Sequence, residues 1–309
     1  MIETYRQPLP HGITLSCRAA GARGRPVLMF LHGFPEAAFV WDFMLDHFAR
    51  AENGGYRCVA PNLRGFEHSS APLEVSAYRP KHLVQDVAAL IAVEAAEQGG
   101  QLAALVAHDW GGAVAWNLAN QWPDLTRQLV IINSPHPGTF LRELKNSPAQ
   151  QAASAYMNFL IRPDAEKLLA QDDYRRLWEF LTDSFGVHPA AWLTEEVKAQ
   201  YRAVWAAGLT GGCNLYRASP LRPPRADDPA AAVVDLPHAM LTVKLPTLVI
   251  WGLGDSALPP ALLDGLGDYV AQLTLKTVAD ATHWIVHEQP VRVAQLVKDF
   301  LPSSILQKQ

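Results

Sequence analysis

The sequence predicts an α/β fold in which a mostly parallel, twisted sheet is flanked by helices on both faces. Short apolar runs rich in β-branched residues alternate with longer stretches of helical periodicity, which is typical of such a sheet. The alternation stops between residues 133 and 245, where the sequence is helical and rich in aromatic residues. We therefore expect one α/β core that is interrupted by a helical insertion.

The periodicity predicts seven strands and five helices. The candidate strands are Thr14–Arg18, Val27–Leu31, Cys58–Pro61, Leu102–Ala107, Leu129–Asn133, Leu245–Trp251 and Leu273–Thr277. The candidate helices are Ala37–Ala51, Lys81–Gln98, Gly112–Gln121, Pro260–Val270 and Pro290–Leu301. In the second of these helices Val84, Val87 and Ile91 recur near helical spacing, so we expect it to bury one face.

The length of 309 residues suits a large core domain with a sizeable insertion. We expect the first part of the core in residues 1–134, a helical cap, or lid, in residues 135–243, and the second part of the core in residues 244–309. Thr194, followed by two glutamates, indicates a helix start inside the cap. The proline-rich stretch 219–225 cannot be regular helix and is predicted to lead back to the core.

The composition argues against several kinds of partner. A net charge of −4 without any Lys/Arg-rich run favours neither nucleic acid nor an anionic membrane. No apolar run approaches the roughly 18 residues that a membrane span needs, and the N-terminal residues lack the pattern of a signal peptide. Cys17, Cys58 and Cys213 are widely spaced and form no CxxC pair. We therefore expect reduced thiols in a cytoplasmic protein.

The most informative segment is Leu105–Gly112, an apolar strand that runs into a tight turn of small residues with Asp109 at its apex. It resembles the strand–nucleophile–helix elbow of the α/β-hydrolases. Gly111 and Gly112 are small enough for strand and helix to close around the apex. This elbow usually carries serine. An aspartate in its place implies a covalent alkyl ester of the enzyme as the intermediate.

A nucleophilic carboxylate needs a base for the second half-reaction, and the base needs an orienting acid. Asp255 follows the apolar run Leu245–Ile250, which places it at the carboxyl edge of the predicted sheet. His283 lies in a loop between the last predicted strand and the last predicted helix. The order nucleophile, acid, histidine is that of the α/β-hydrolase fold.

Three other residues are candidates for the role of base or of orienting acid. His287 is the nearest rival base but lies further toward the final helix. Asp280 is too close in sequence to His283 to orient its ring. Asn133 ends an earlier strand, where some related dehalogenases carry their acid, but an amide cannot act as one. Its presence there favours Asp255.

Hydrolysis of an ester also requires two N–H donors that stabilise the negative charge on the carbonyl oxygen. The loop of residues 31–36 follows an early strand and contains Gly33 and Pro35, so it can aim the N–H of Phe34. The second donor would be the N–H of Trp110, directly after the nucleophile. His32 and His108 are expected to stabilise loops and to take no part in the chemistry.

The motifs at residues 32–36, 108–112 and 133–137, with Asp255 and His283, together resemble the epoxide hydrolase branch of the family over nearly the whole chain. In that branch two tyrosines of the insertion hydrogen-bond the epoxide oxygen, and the resemblance implies Tyr156 and Tyr216 for this role. A phenol, with an ordinary pKa near about 10, can donate to a departing alkoxide. Tyr174 and Tyr201 are expected to be ordinary amphipathic tyrosines.

The resemblance implies hydrolysis of an epoxide to a vicinal diol, with water as co-substrate and no cofactor or metal. The aromatic and apolar residues of the insertion suggest that the small-molecule substrate is a hydrophobic epoxide. The sequence does not determine the oligomeric state, and a homodimer is left open.

Two related activities use the same Asp–His–Asp machinery. Haloalkane dehalogenases usually carry asparagine where this chain has Phe34, because its amide helps to hold the halide. Fluoroacetate dehalogenases follow the nucleophile with arginines, whereas this chain has Trp110 and Ala113 at those positions. Haloalkane or haloacid dehalogenation is therefore the alternative, and a non-catalytic ligand-binding protein is a remote one. A serine esterase is excluded because Ser134 lies too far along the chain to replace Asp109.

Overall fold

The computed structural model describes residues 1–301 except 188 and 226. Its centre is one sheet of eight strands, which are β1 (Glu3–Pro8), β2 (Thr14–Ala20), β3 (Val27–Leu31), β4 (Arg57–Pro61), β5 (Ala104–His108), β6 (Leu129–Ile132), β7 (Val243–Gly252) and β8 (Val270–Val278). They lie in the order β1-β2-β4-β3-β5-β6-β7-β8. The pairs β1/β2 and β2/β4 are antiparallel, and all the other pairs are parallel. The mostly parallel α/β sheet predicted from the sequence is thus confirmed.

The central strands are apolar on both sides because helices cover both faces of the sheet. Every residue of β3, β5 and β6 is buried, and one large apolar cluster lies against each face. The parallel register aligns Leu31 with Ala107, His108 with Ile132, and Ile132 with Ile250. The loops that follow β3, β5, β6 and β7 therefore leave the sheet at the same edge.

Thirteen α-helices are found in the described residues. They are α1 (Asp42–Ala49), α2 (Pro80–Glu94), α3 (Asp109–Gln121), α4 (Pro137–Asn146), α5 (Pro148–Ala153), α6 (Tyr156–Leu160), α7 (Ala165–Leu169), α8 (Gln171–Glu179), α9 (Glu195–Ala207), α10 (Thr210–Ala218), α11 (Pro229–Ala232), α12 (Ile285–Glu288) and α13 (Pro290–Phe300). One π-helical turn, Phe180–Ser184, follows α8.

All seven predicted strands are present, with ends that differ by at most three residues. The predicted helices near α1 and α2 are shorter than expected because 3-10 turns, such as Ala38–Trp41 and Ala96–Gln98, take up part of each range. The third predicted helix begins earlier than expected, at Asp109 itself. The last one matches α13.

Two further elements differ from the prediction, one at the start of the chain and one before β8. Strand β1 was not predicted, because its short and mostly exposed sequence shows no apolar run. The predicted helix Pro260–Val270 was wrong. Its range holds two 3-10 turns, Pro260–Leu263 and Leu266–Asp268, and Val270 already begins β8. Gly265, between the turns, has a left-handed φ of +70°, which no continuous helix allows.

Between β6 and β7 the chain forms helices α4 to α11, which we call the cap helices, and no β-strand occurs in the described residues of this interval. Helix α9 begins where the sequence predicted, with Thr194 Oγ1 accepting the N–H of Val197 at 3.4 Å. The predicted domain boundaries at 134/135 and 243/244 stay predictions. Among the described residues, no helix combines the length and apolar character that a membrane crossing requires.

The cap helices dock on the sheet edge through α9 and α10. The indole N–H of Trp205 donates to the carbonyl oxygen of Pro35 at 2.7 Å. Helix α10 approaches the core so closely that a Cβ built on Gly211 would lie 2.3 Å from the Cα of Gly65. Two glycines facing each other thus allow backbone contact between cap and core, and this contact sets the position of the rest of α10.

We expect Gly211→Ala to lower the free energy of unfolding by about 1–3 kcal/mol, because the added methyl group meets backbone atoms that cannot rotate away. Urea denaturation followed by tryptophan fluorescence measures this. Gly267→Ala is the matched control, since a Cβ there would meet nothing within 4 Å. If the two variants were equally stable, the contact between Gly65 and Gly211 would not limit the size of the side chain at position 211.

Candidate active site

Asp109 lies at the turn between β5 and α3. Its φ of +49° is in the left-handed region, which few residues other than glycine adopt. The Ser134 hydroxyl donates to the carbonyl oxygen of Asp109 at 2.7 Å and secures the turn. A Cβ on Gly111 would lie 2.4 Å from the carbonyl oxygen of Leu31, and one on Gly112 would lie 2.3 Å from the Cβ of Ser134. The small residues therefore let the turn close.

The structure brings the three residues of the predicted triad together. His283 lies between two carboxylates: its Nε2 is 3.7 Å from Asp109 Oδ2, and its Nδ1 is 2.7 Å from Asp255 Oδ2. An ionised carboxylate only accepts hydrogen bonds, so Nδ1 carries a proton and donates it to Asp255. Nε2 is thereby directed at Asp109, the position that a base for this carboxylate requires.

Asp255 is fixed by donors on both of its oxygens. Oδ1 accepts the N–H groups of Ala257 and Leu258, each at 2.9 Å, and Oδ2 accepts the amide N–H of Asn133 at 2.7 Å. Asn133 in turn accepts the N–H of Gly252 at 2.9 Å. The amide at the end of β6 therefore joins the ends of two strands and orients the acid.

The charges around His283 decide its protonation state. Burial by itself lowers the pKa of His283, but the negative charges of Asp255 and Asp109 outweigh it and raise this pKa from 6.5 to about 10. The two neighbouring acidic side chains therefore favour the imidazolium form of His283. Loss of the charge on Asp109 would remove one of the two causes of this shift.

The predicted oxyanion donors are Phe34, in the loop after β3, and Trp110, directly after Asp109. The N–H of Phe34 donates to Asp109 Oδ1 at 2.7 Å. Trp110 is the second residue of α3, and N–H groups in the first turn of a helix have no carbonyl partner within the helix. Oδ1 therefore already lies where the carbonyl oxygen of an ester would be stabilised, and Oδ2 faces His283.

Tyr156 and Tyr216 extend from the cap helices to line the same cavity as Asp109. Their ring centroids are 6.0 Å apart, and the Tyr216 ring packs edge-on against Trp110 at 5.0 Å. Burial raises the pKa of both phenols above the ordinary value, and the charge of Asp109 raises it further. Both phenols are therefore neutral O–H donors at any physiological pH.

The two histidines expected to be structural make contacts of that kind. His32 Nδ1 lies 2.8 Å from the carbonyl oxygen of Gly33, and its Nε2 accepts the N–H of Leu63 at 3.1 Å. Burial lowers the pKa of His32 to about 4, so its ring stays neutral. His108 is fully buried, and its Nε2 donates to the carbonyl oxygen of His283 at 2.9 Å.

A buried cluster around Glu36 supports the loop that carries His283. The Glu36 carboxylate accepts hydrogen bonds from His108 at 3.0 Å, His287 at 2.7 Å and the Tyr201 hydroxyl at 3.1 Å. Burial would raise the pKa of Glu36, but the bonds from the two histidines hold it well below its usual range. His287, the rival base, is thus occupied by Glu36. Tyr201, for which the sequence predicted no part in the chemistry, is buried and lines neither cavity at Asp109.

Asp280, the rival acid, lies outside the site and pairs with Arg292 at 3.2 Å. In the part of the chain that the structure describes, no group of three or more His, Cys, Asp and Glu side chains is arranged to hold a metal ion.

This arrangement has counterparts in known proteins. The model of the α/β hydrolase fold family matches residues 26–290. Epoxide hydrolase 3 of Xenopus tropicalis is 32% identical over 96% of this chain and 76% of its own length. A solved structure described as a novel epoxide hydrolase from metagenomes of hot environments has a TM-score of 0.84 at 35% identity, over 98% of this chain and 99% of the other. The chain belongs to the epoxide hydrolase branch of the α/β-hydrolase family.

The AB hydrolase superfamily protein YfhM of Bacillus subtilis is also similar, with 33% identity over 94% of this chain and 95% of its own length.

The roles of two residues of this α/β-hydrolase are visible only in the structure. The sequence shows only that Asn133 cannot be the acid, whereas in the structure its amide orients Asp255. Glu36 was noted only as part of a loop motif. Because its three partners come from distant parts of the chain, no local pattern could have found them.

We expect Asp109→Asn to lower the pKa of His283 from about 10, because one of the two flanking negative charges is removed. Titration of the histidine ring signals by NMR measures it. Asp280→Asn is the matched control, since that carboxylate is exposed and paired with Arg292. An unchanged pKa in Asp109→Asn would contradict the electrostatic account of the site.

Proposed function

We propose that this enzyme hydrolyses apolar epoxides to vicinal diols through a covalent ester on Asp109. The observation that carries the proposal is the placement of the Asp109 carboxylate between the His283 ring and the phenols of Tyr156 and Tyr216, which line the same cavity. A carboxylate can open a strained ether if the departing oxygen is protonated, and the phenols offer that proton. Relatives named epoxide hydrolases support the same reaction.

In the first step, Asp109 Oδ2 attacks one carbon of the epoxide and the bond from that carbon to the ring oxygen breaks. Tyr156 and Tyr216 hydrogen-bond the ring oxygen, and one of them transfers its proton to it. The N–H of Phe34 keeps Oδ1 in place as the carbonyl oxygen of the new ester. Donors that are fixed before the reaction need no rearrangement when the charge moves.

The proton balance links the two half-reactions. Esterification removes the charge of Asp109, so the pKa of His283 falls and the imidazolium loses the proton that it holds at rest. The tyrosinate left by ring opening is a strong base, because burial raises the pKa of the phenol above its ordinary value. This proton therefore restores the phenol, and His283 becomes a neutral base.

In the second step, His283 takes a proton from water, and the hydroxide attacks the ester carbonyl carbon. The N–H groups of Phe34 and Trp110 stabilise the charge on Oδ1. The tetrahedral intermediate collapses, the diol leaves with the proton of the new carboxylic acid, and Asp109 returns as a carboxylate beside an imidazolium. All bonds and protons balance with water as the only co-substrate, so the proposal requires no cofactor.

We also propose that the protein is located in the cytoplasm. Cys17, Cys58 and Cys213 are buried free thiols, which is typical of proteins that live under reducing conditions. The homodimer stays open.

We expect His283→Gln to accumulate the ester intermediate, because ring opening still proceeds while the water has lost its base. Intact-protein mass spectrometry should show an increase equal to the mass of the epoxide, and turnover should fall by about 100- to 10,000-fold. The double variant Asp109→Asn with His283→Gln should show no adduct.

In heavy-oxygen water, a single turnover of the unmodified enzyme should place the label in Asp109. Label that goes only to the diol would exclude the covalent route.

We expect Tyr156→Phe combined with Tyr216→Phe to reduce epoxide opening by about 100- to 10,000-fold, since the ring oxygen loses both O–H donors. Tyr174→Phe is the matched control, because this tyrosine of the cap helices packs on Trp205 away from the site. Diol and halide release should be measured side by side with a haloalkane. Undiminished epoxide opening in the double variant, or faster halide release than diol formation in the unmodified enzyme, would favour the dehalogenase alternative.

A further inference from the structure

Two cavities of very different size meet at Asp109. The wide cavity has a volume of about 270 Å³ and the narrow one about 10 Å³. Asp109, Tyr156 and Tyr216 line both of them. The nucleophile and the two phenols therefore lie at the junction, and a bound epoxide ring has room on one side only.

The walls of the narrow cavity are aromatic and packed against one another. Phe180 and Phe185 stack with ring centroids 5.3 Å apart, and Phe185 also contacts the Tyr156 ring at 4.9 Å. Trp284 is buried, and its indole N–H donates to the carbonyl oxygen of Phe180 at 3.0 Å. Displacing either phenylalanine ring would break these contacts.

The wide cavity has a different lining. It runs along α3 and the chain that follows α10, and its walls are mostly apolar, with a few amide groups at the far end. Residues of this wall are Phe140, Met157, Leu221, Leu241, Asn117 and Asn120. A long alkyl or aryl substituent finds apolar surface here, and its far end can still reach polar groups.

Because the two cavities differ in volume, the positions of the substituents on an epoxide decide whether it fits the site. With the ring oxygen at the two phenols and one carbon at Asp109, trans substituents on the two ring carbons point to opposite sides. A volume of about 10 Å³ holds roughly one water molecule, so it admits a hydrogen atom but no alkyl chain. We propose, on the basis of the epoxide hydrolysis proposed above, that the enzyme acts on terminal epoxides and excludes trans-1,2-disubstituted ones.

Two isomers of the same mass and similar hydrophobicity provide the test. We expect kcat/KM for 1,2-epoxyoctane to exceed that for trans-4,5-epoxyoctane by at least about 100-fold, since the second propyl group of the internal isomer meets filled space. Diol formation by the unmodified enzyme is measured by gas chromatography. Similar kcat/KM values for the two isomers would overturn the proposal.

Variants of the narrow cavity test the cause of the selectivity. Phe185→Ala removes a wall and should raise the relative kcat/KM for the internal isomer by at least about 10-fold. Phe180→Ala is a second variant, and it keeps the carbonyl oxygen that Trp284 binds. Phe159→Ala removes a phenylalanine ring of the cap helices that lines neither cavity, and it serves as the matched control with an unchanged ratio. If both phenylalanine variants fold, as judged by circular dichroism, and leave the ratio unchanged, the narrow cavity does not set the selectivity.

The failure of this proposal can be told from the failure of the proposed function. If folded enzyme forms no diol from either isomer, nor from styrene oxide, then epoxide hydrolysis itself is wrong. If it hydrolyses both isomers equally well, the function stands and the selectivity is wrong.

Discussion

The ion triad of Asp255, His283 and Asp109 is the interaction on which the rest of the site depends. Burying three charges is costly unless each one is paired and hydrogen-bonded, and here one imidazolium serves two carboxylates. In the mechanism proposed above, the same arrangement changes state when Asp109 becomes an ester. One negative charge disappears, the cause of the raised pKa weakens, and the cation becomes a base. The nucleophile thus controls the protonation of the group that later releases its product.

The sheet and the cap helices contribute opposite kinds of chemistry. The carboxyl edge of the parallel strands supplies the charged groups, because Asp109, Asp255 and His283 follow β5, β7 and β8, whose carboxyl ends lie at the same edge of the sheet. The cap helices supply the neutral phenols of Tyr156 and Tyr216, whose burial raises their pKa, and in the proposed mechanism these phenols protonate the alkoxide. Contact of Gly65 with Gly211 brings the two halves within reach of a single small molecule.

Residues that do not touch a substrate hold this geometry in place. Asn133 fixes Asp255 from the end of β6, and His108 fixes the backbone of His283 from the end of β5. Glu36 then ties His108 to His287 and to Tyr201 of the cap helices. A buried carboxylate with three donors is stable, because its hydrogen bonds offset the cost of removing it from water. The orientation of the base is therefore coupled to the docking of the cap helices.

The sequence by itself determined the α/β class, the seven principal strands, and the order of Asp109, Asp255 and His283 along the chain. These features depend on local patterns: apolar runs of strand length, small residues after an apex, and polar residues directly after a strand. Tertiary structure decided the rest. The role of Asn133, the cluster around Glu36 and the unequal cavities beside Asp109 depend on side chains that are far apart in sequence. Their distances arise only when sheet and cap helices pack, so no local pattern encodes them.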